Sequence, residues 1–371
     1  MTRTWPRWVP AAVVPVVIAA VAVAGSVHAS AREALPEKTP EQVLAMIEQS
    51  TVSALSGTLE QSAQLGLPQL PTGRGTTATS GAAAALELLT GSHTARVYLD
   101  GPANVRVQVL DKLAERDLVR RGGDVWLYVS ATNTATHVTL PTDGAARSGA
   151  AGQTVAGKDQ AVPQVMQTPA QVAQRMLAAI DPSTRVTVGR DTEVAGRSAY
   201  DLVLTPKSSG TLVGSVSIAV DSTTGLPLGV DVRARGQADP AFRVAFTQLT
   251  LAAPPADRFA FTPPRGATVH EQALSVPPSA GVQPKSAGTS AHPALPRETT
   301  SGTGWETVVE LPVGTAPSAL TGNPLFGQLT RAVSGGRLLH TALVNVLVTG
   351  DGRVLVGSVP VEALQTAAAG K

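Results

Sequence analysis

Between residues 196 and 251, apolar and polar side chains alternate in four successive runs, 196–205, 213–221, 228–235 and 241–251, each closed by turn residues. A period of two predicts half-buried antiparallel strands. A second group of alternating runs lies earlier. Ala95, Val97 and Leu99 interleave with Arg96 and Tyr98; after Asp100-Gly101-Pro102, Val105, Val107 and Val109 interleave with Arg106 and Gln108. Two further strands meet at Arg121-Gly122-Gly123-Asp124, whose glycines suit a tight hairpin. The next run, Val125-Trp126-Leu127-Tyr128-Val129, is apolar on both faces, and Asn133 marks the turn into a strand over 137–140. A strand of that kind needs cover on both sides.

The helical period appears in two places with the same opening. In Thr39-Pro40-Glu41-Gln42 and in Thr168-Pro169-Ala170-Gln171 the threonine can cap, proline occupies the first helical position, and glutamine completes a capping box. Val43, Leu44 and Ile47 share one face of the first helix, joined by Thr51 at its end. Val172, Met176, Ala179 and Ile180 share one face of the second, which Asp181-Pro182 stops. Each stripe predicts a helix lying on the sheet. Low-complexity loops over 71–81, 141–160 and 207–210 interrupt the sheet, and the first two, long and Gly/Ala/Thr-rich, are expected to carry no regular structure.

After residue 266 the chain changes character. Proline, serine, alanine and glycine crowd 267–303, a composition that predicts a tether. Beyond it, 305–311 predicts a strand, 316–332 a helix weakened by Gly322, Pro324 and Gly327, and 338–348 with 353–359 a strand pair turning at Asp351-Gly352. Pro360 opens a last helix with Val361, Leu364 and Ala367 on one face. The expected layout is therefore a sheet domain over 36–266, a linker over 267–303 and a small α+β unit over 304–371. The last is near the lower size limit for independent stability.

Three turn and strand markers carry a family likeness: Leu204-Thr205-Pro206-Lys207, Asp221-Ser222-Thr223-Thr224-Gly225-Leu226-Pro227, and the close Phe259-Ala260-Phe261-Thr262-Pro263-Pro264-Arg265-Gly266. In this order, and preceded by the Gly-x-Asp-x-Trp-x-Tyr segment at 122–128, they resemble the LolA-type lipoprotein-carrier family over roughly two thirds of the chain. The resemblance implies an α+β fold: a strongly bent, unclosed antiparallel β-barrel whose concave face is covered by helices and holds acyl chains. The extra C-terminal unit is similar in layout to the RseB/MucB-type regulators, which sense lipid and bind an anti-sigma factor. This chain departs from the carriers in that unit and in its long Gly/Ala-rich loops, and the family's polar residue at the cavity floor has no match to a numbered position.

A non-enzymatic binding protein is the function this implies, a carrier or sensor of lipid or lipoprotein acyl chains. Candidate lining residues are the apolar members of the best-alternating strands: Val97 and Leu99, Val107 and Val109, Trp126 and Tyr128, then Val216 and Ile218, Val230 and Val232, and Phe246. For any one of these taken singly, plain core is the stronger reading. Two rival functions stay open: a regulator whose C-terminal unit contacts a membrane signalling protein, and an exported hydrolase assembled from separate strands.

Composition narrows the chemistry. With no cysteine, a disulfide, a thiolate nucleophile, a cysteine zinc site and a lipid-modified cysteine are excluded. The chain carries 29 basic against 27 acidic side chains, and the whole excess is Arg3 and Arg7 in the leader. The remainder is balanced, which argues against a nucleic-acid partner. Gly152-Gln153-Thr154-Val155-Ala156-Gly157-Lys158 has phosphate-loop spacing, yet Asp159 stands where a magnesium-holding hydroxyl belongs and no strand precedes it. His28, His93, His137, His270, His292 and His340 are not spaced for a helical or hairpin metal site. No cofactor or metal is expected. Arg3 and Arg7 precede an uncharged, mostly apolar run from 8 to 27, with small residues at Val27-His28-Ala29 and Ala29-Ser30-Ala31 for cleavage. Residues 1–31 therefore read as a signal peptide or, uncleaved, as an anchor, and the rest of the chain as extracytoplasmic.

Overall fold

The structure is a computed structural model in which residues 34–67, 91–110, 114–140, 156–157, 160–161, 166–273, 299–313 and 329–370 are described. The leader, the run 71–81 and most of the runs 141–160 and 267–303 lie outside the described residues. Contacts divide the chain into Met1–Glu37 and Lys38–Lys371, and every element named below belongs to the second body. Among the described residues no helix is long and apolar enough to cross a membrane.

In chain order the first body of sheet is α1 (Pro40–Glu48), β1 (Ala54–Ala63), β2 (Gly91–Asp100), β3 (Asn104–Leu110), β4 (Glu115–Arg121), β5 (Asp124–Val129) and β6 (Thr134–Thr139). A two-residue ladder of β7 (Ala156–Gly157) and β8 (Gln160–Ala161) precedes α2 (Pro169–Ala178). Then come β9 (Thr184–Val188), β10 (Thr192–Val194), β11 (Arg197–Pro206), β12 (Val213–Asp221), β13 (Pro227–Ala234), β14 (Pro240–Thr250) and β15 (Thr268–Ala273). All but β7 and β8 form one 13-stranded sheet in the order β10-β11-β12-β13-β14-β1-β2-β3-β4-β5-β6-β15, with β9 also on β11. The sheet is curved and unclosed, so the expected α+β half-barrel is the fold observed. Every pairing is antiparallel except β15 on β6, which is parallel.

Both helices begin as their sequences dictate. The Thr39 hydroxyl accepts from Gln42 N–H at 3.3 Å while Thr39 N–H donates to the Gln42 side chain at 2.9 Å, and Thr168 and Gln171 repeat the arrangement. Such caps satisfy backbone donors that a first helical turn cannot. Val43 on α1 and Pro169, Val172 and Ala173 on α2 are the side chains these helices bury. Helix α1 lies against β9 and β11, and α2 against β13 and β14.

The turn between β12 and β13 locks α1 in place. Gly225 has φ +71, and a Cβ there would stand 2.0 Å from the Met46 carbonyl oxygen of α1. Asp221 holds the turn from inside: its carboxylate accepts from Thr224 N–H at 2.9 Å and from both Nε and Nη2 of Arg197 at 3.0 and 2.8 Å. Burial alone would raise the Asp221 pKa, but the bonds from Arg197 and Thr224 outweigh it and hold the carboxyl below its ordinary value.

A second sheet follows, formed by β16 (Thr299–Ser301), β17 (Val308–Leu311), β18 (Thr330–Val333), β19 (Gly336–His340), β20 (Asn345–Thr349) and β21 (Val354–Gly357), in the order β16-β17-β21-β20-β19-β18. Helix α3 (Val361–Ala369) packs Leu364 onto it with Leu338, Leu347 and Leu355. Three expectations need correcting here. The end of the expected helix 316–332 is strand, because β18 starts at Thr330; the rest lies outside the described residues. The expected strand 338–348 is two strands. Thr341 makes the break, its hydroxyl accepting from Val344 N–H at 2.9 Å and donating to Val344 O at 2.6 Å, the local competition that favours threonine in turns. Finally, Trp305 lies in a 3₁₀ turn over Gly304–Glu306, so the strand begins only at Val308.

This unit is fastened to the half-barrel. Leu212 N–H and the Thr211 hydroxyl both donate to Ser358 O, at 2.8 and 2.7 Å, and Ala342 N–H donates to Leu65 O at 2.9 Å. The Trp305 indole N–H donates to the Thr184 hydroxyl at 2.8 Å, and Ser208 hydrogen-bonds the Glu306 carboxylate.

Two measurements check the turn. Gly225→Ala is expected to cost more than about 1 kcal/mol in urea unfolding, from strained φ and a backbone clash. Gly350→Ala, facing open space, is expected to be close to neutral. A depressed carboxyl stabilises the fold above its unfolded value of 3.8 and loses that contribution as pH falls through the folded pKa. Asp221→Asn should therefore lower stability at neutral pH and flatten the stability loss below that value.

Candidate functional site

Cross-strand register assigns each strand residue to a face of the large sheet. Gly57 of β1 stands opposite Val97, which stands opposite Val107 and then Leu118. Leu55, Leu99 and Val105 form the adjacent row, and Leu59, Ala95 and Val109 the next. Across β1, Leu59 faces Phe246, Gln61 faces Val244, and Val244 leads through Val230 and Ile218 to Leu202. Val232 and Val216 make the neighbouring row with Leu204. One apolar face thus runs from β11 to β5, and it carries every candidate lining residue except Trp126 and Tyr128. Met166, just before α2, packs into the cluster of Leu59, Val97, Val109 and Phe246, so the start of α2 lies on this face.

Trp126 and Tyr128 point the other way. Trp126 stands opposite His137, and the two rings stack with centroids 4.2 Å apart and planes 10° from parallel. Phe261 covers both residues, at 5.4 Å from Trp126 and 5.9 Å from Tyr128, and the Tyr128 hydroxyl donates to the Asn133 side chain at 3.1 Å. Elsewhere this outer face carries paired charges. Arg106 grips Asp117 through Nε and Nη2 and donates from Nη1 to Arg258 O at 3.0 Å, while Arg243 pairs with Asp231 at 2.9 Å. Burial pushes the Asp117 carboxyl up despite its arginine, and does the same for Asp201 and Asp231. The segment Ala256–Phe259 crosses β3 and β4 on this side.

The apolar face has two regions. Val97, Val216, Ile218 and Val230 have 0% of their surface accessible, so no water-sized space adjoins them and the protein's own atoms fill the hollow there. Toward β3 to β5, Leu99, Val105, Leu118, Val125 and Val129 are only half buried. The register places all five on the same face as Val97. Three buried polar side chains lie on this face: Arg116, between Val109 and Val129 at the edge of the patch, and, further along β1 and β2, Gln61 and His93, which face each other. Sequence reasoning does not single them out. The phase of β4 is the available signal, since an inward Leu118 requires Arg116 and Arg120 to point inward too.

Two more expectations meet the structure here. Residues 268–273, expected to start the tether, form β15 along β6, with Thr268 N–H donating to Asn133 O at 2.9 Å. Of the phosphate-loop look-alike only Ala156 and Gly157 are described, in the short β7. Among the described residues no group of three or more histidine, aspartate or glutamate side chains is placed to hold a metal ion.

No family model matches the chain, and no curated protein matches it. Solved structures do. The complex of Pseudomonas aeruginosa MucA and MucB aligns over 89% of this chain and 96% of that one, at 18% identity and a TM-score of 0.43. A LolA superfamily protein from Nitrosomonas europaea aligns over 61% of this chain and 99% of its own, at 11% identity and a TM-score of 0.23. A putative outer membrane lipoprotein-sorting protein domain from Vibrio parahaemolyticus aligns over 60% and 95%, at 9% identity and a TM-score of 0.23.

Gly57 tests the packing of the apolar face. A Cβ on Gly57 would stand 2.8 Å from the Phe246 ring and 2.7 Å from Gln248 O. Gly57→Ala should cost about 1–3 kcal/mol by overpacking, and the double variant Gly57→Ala with Phe246→Leu should recover part of the loss in chemical denaturation.

Proposed function

We propose that this chain is an exported, non-catalytic binding protein that holds lipid or lipoprotein acyl chains against the apolar face of its half-barrel, as carrier or sensor. One observation carries the proposal. The aliphatic face continues from a filled region into the half-buried patch of Leu99, Val105, Leu118, Val125 and Val129, so a hydrocarbon chain has apolar surface on which to start. Each methylene taken out of water contributes about 0.8 kcal/mol, so a long acyl chain gains enough to part side chains that only touch one another. Aliphatic linings suit such a guest because they impose no directional contacts. The filled region implies that loading moves a cover, and α2, whose leading residues pack on this face, is the described element in position to do so.

A second reading is favoured by the joint between the two sheets. Backbone-level bonds from Leu212 and Ala342, with the Trp305–Thr184 contact, couple the C-terminal unit to the half-barrel. A regulator that reports lipid occupancy to a membrane protein would use that coupling. Capture of a membrane partner that fails in Trp305→Phe, with lipid uptake intact, would favour it over a free carrier.

Native mass spectrometry of the exported protein should show a co-purified lipid, and the protein should extract labelled acyl lipid from vesicles. Leu118→Asp, which puts a charge in the half-buried patch, should weaken extraction by about tenfold or more, equivalent to about 1.4 kcal/mol. A lipid-free protein that extracts nothing, or a Leu118→Asp variant that extracts normally, would overturn the proposal.

A further inference from the structure

The outer face carries a contact that acyl-chain binding does not use. His137 of β6 sits between two carboxylates: Nδ1 is 2.7 Å from Glu271 Oε2 on β15, and Nε2 is 3.0 Å from Asp124 Oδ1 on β5. Both carboxylates can only accept. A neutral imidazole has one N–H to offer, so its other nitrogen would turn a lone pair toward an oxygen; imidazolium donates from both. The ring is fixed in this position by stacking on Trp126, which also favours a cation over its face. The site is thus built for the protonated ring.

What the ring holds is β15. This strand of six residues is the last in the sheet, and Thr268, Val269, His270 and Glu271 are all exposed, so it buries little apolar surface. Its attachment rests on backbone bonds to β6 and on Glu271, the register partner of His137. On the adjoining elements, Arg121 of β4 stands opposite Asp124; Asp117 and Glu115 of β4 and Tyr128 of β5 share the same face further along, Asp117 being held by Arg106; Arg116 and Arg120 alternate to the inner face, and His270 to the other side of β15.

We propose that His137 is a proton-controlled latch: its imidazolium docks β15 on the edge of the half-barrel, and its neutral form releases that strand, uncovering the β6 edge. Burial alone would lower the His137 pKa, but the hydrogen bonds and charges of Glu271 and Asp124 outweigh it and raise the pKa above 6.5. A raised histidine stabilises docking fully below the free value of about 6.5 and loses that hold as pH rises through the raised pKa. Glu271 and Asp124 remain 70% and 60% exposed, so the hold is modest and screened by salt. It is the right size to tip a short edge strand, and too small to govern the half-barrel itself.

Amide hydrogen exchange from about pH 5 to about pH 8, the range over which histidine changes charge, tests the latch. After correction for intrinsic exchange, and with β12 as internal reference, protection of residues 268–273 should fall several-fold at the high end in the native chain. His137→Gln and Glu271→Gln should both flatten that profile, and added salt should weaken protection at low pH. If His137→Gln fails to fold, Glu271→Gln decides alone, since its side chain is solvent-exposed. Protection of β15 that tracks β12 across the range, or a Glu271→Gln variant that keeps the full pH dependence, would overturn the proposal.

Discussion

The half-barrel depends on β1 being paired along both edges. Residues 54–63 bond to β2 on one side and to β14 on the other, so a single strand joins two groups that lie far apart in sequence. Closing such long loops is entropically costly, and the central strand must recover that cost in packing. It does so where Gly57 has no side chain and the Phe246 ring occupies the vacant position. The register shift at Thr58 and Leu59 lies next to that contact, where an extra residue on β14 adds local bend to the sheet. Without β1 the apolar rows of β2 to β5 and those of β11 to β14 would be separate surfaces, each with an uncovered edge.

Given that join, the division of labour between the faces follows. The inner face is aliphatic and the outer face is held by paired charges and by the closing segment, where Phe259 is buried, Phe261 covers Trp126 and Tyr128, and Arg106 reaches Arg258 O. Aromatic side chains are few in this chain, and several of them serve on the outside as anchors for the way out of the half-barrel. The interior is mostly aliphatic, with Phe246 as an aromatic member against Gly57, while Trp126, Tyr128 and Phe261 fasten the outside.

Much of this is legible where local chemistry is directional. The two capping boxes, the Asp221 turn and the alternation of β11 to β14 follow from residues that act within a few positions of one another. Strand β1 is not legible, because its inward positions include Gly57 and Gln61 and so blur the apolar period. Alternation alone puts Trp126 and Tyr128 in the lining because β5 is apolar on both sides; such a strand has no phase of its own, and only the pairing of Leu118 with Leu127 settles which residues turn inward. Strand β15 has no alternation to read, since its docking comes from its partner. The pair β19 and β20 reads as one strand because a threonine turn leaves the apolar count unbroken.

The attachments of the closing segment and of the C-terminal unit act in series. The chain leaves the half-barrel along β6 and returns at β16, which pairs with β17 in the second sheet. That second sheet is tied back through Ser358, Ala342 and Trp305, and the joint is close: a Cβ on Gly304 would stand 2.4 Å from the Asp181 carboxylate, where only glycine permits the approach. Freeing the six residues of β15 would add roughly 20 Å of reach at about 3.3 Å per residue. That reach has an effect only when the joint opens as well. Under the proposed latch, His137 would set only the length of chain released at β15, while the bonds at Ser358, Ala342 and Trp305 would hold the C-terminal unit itself.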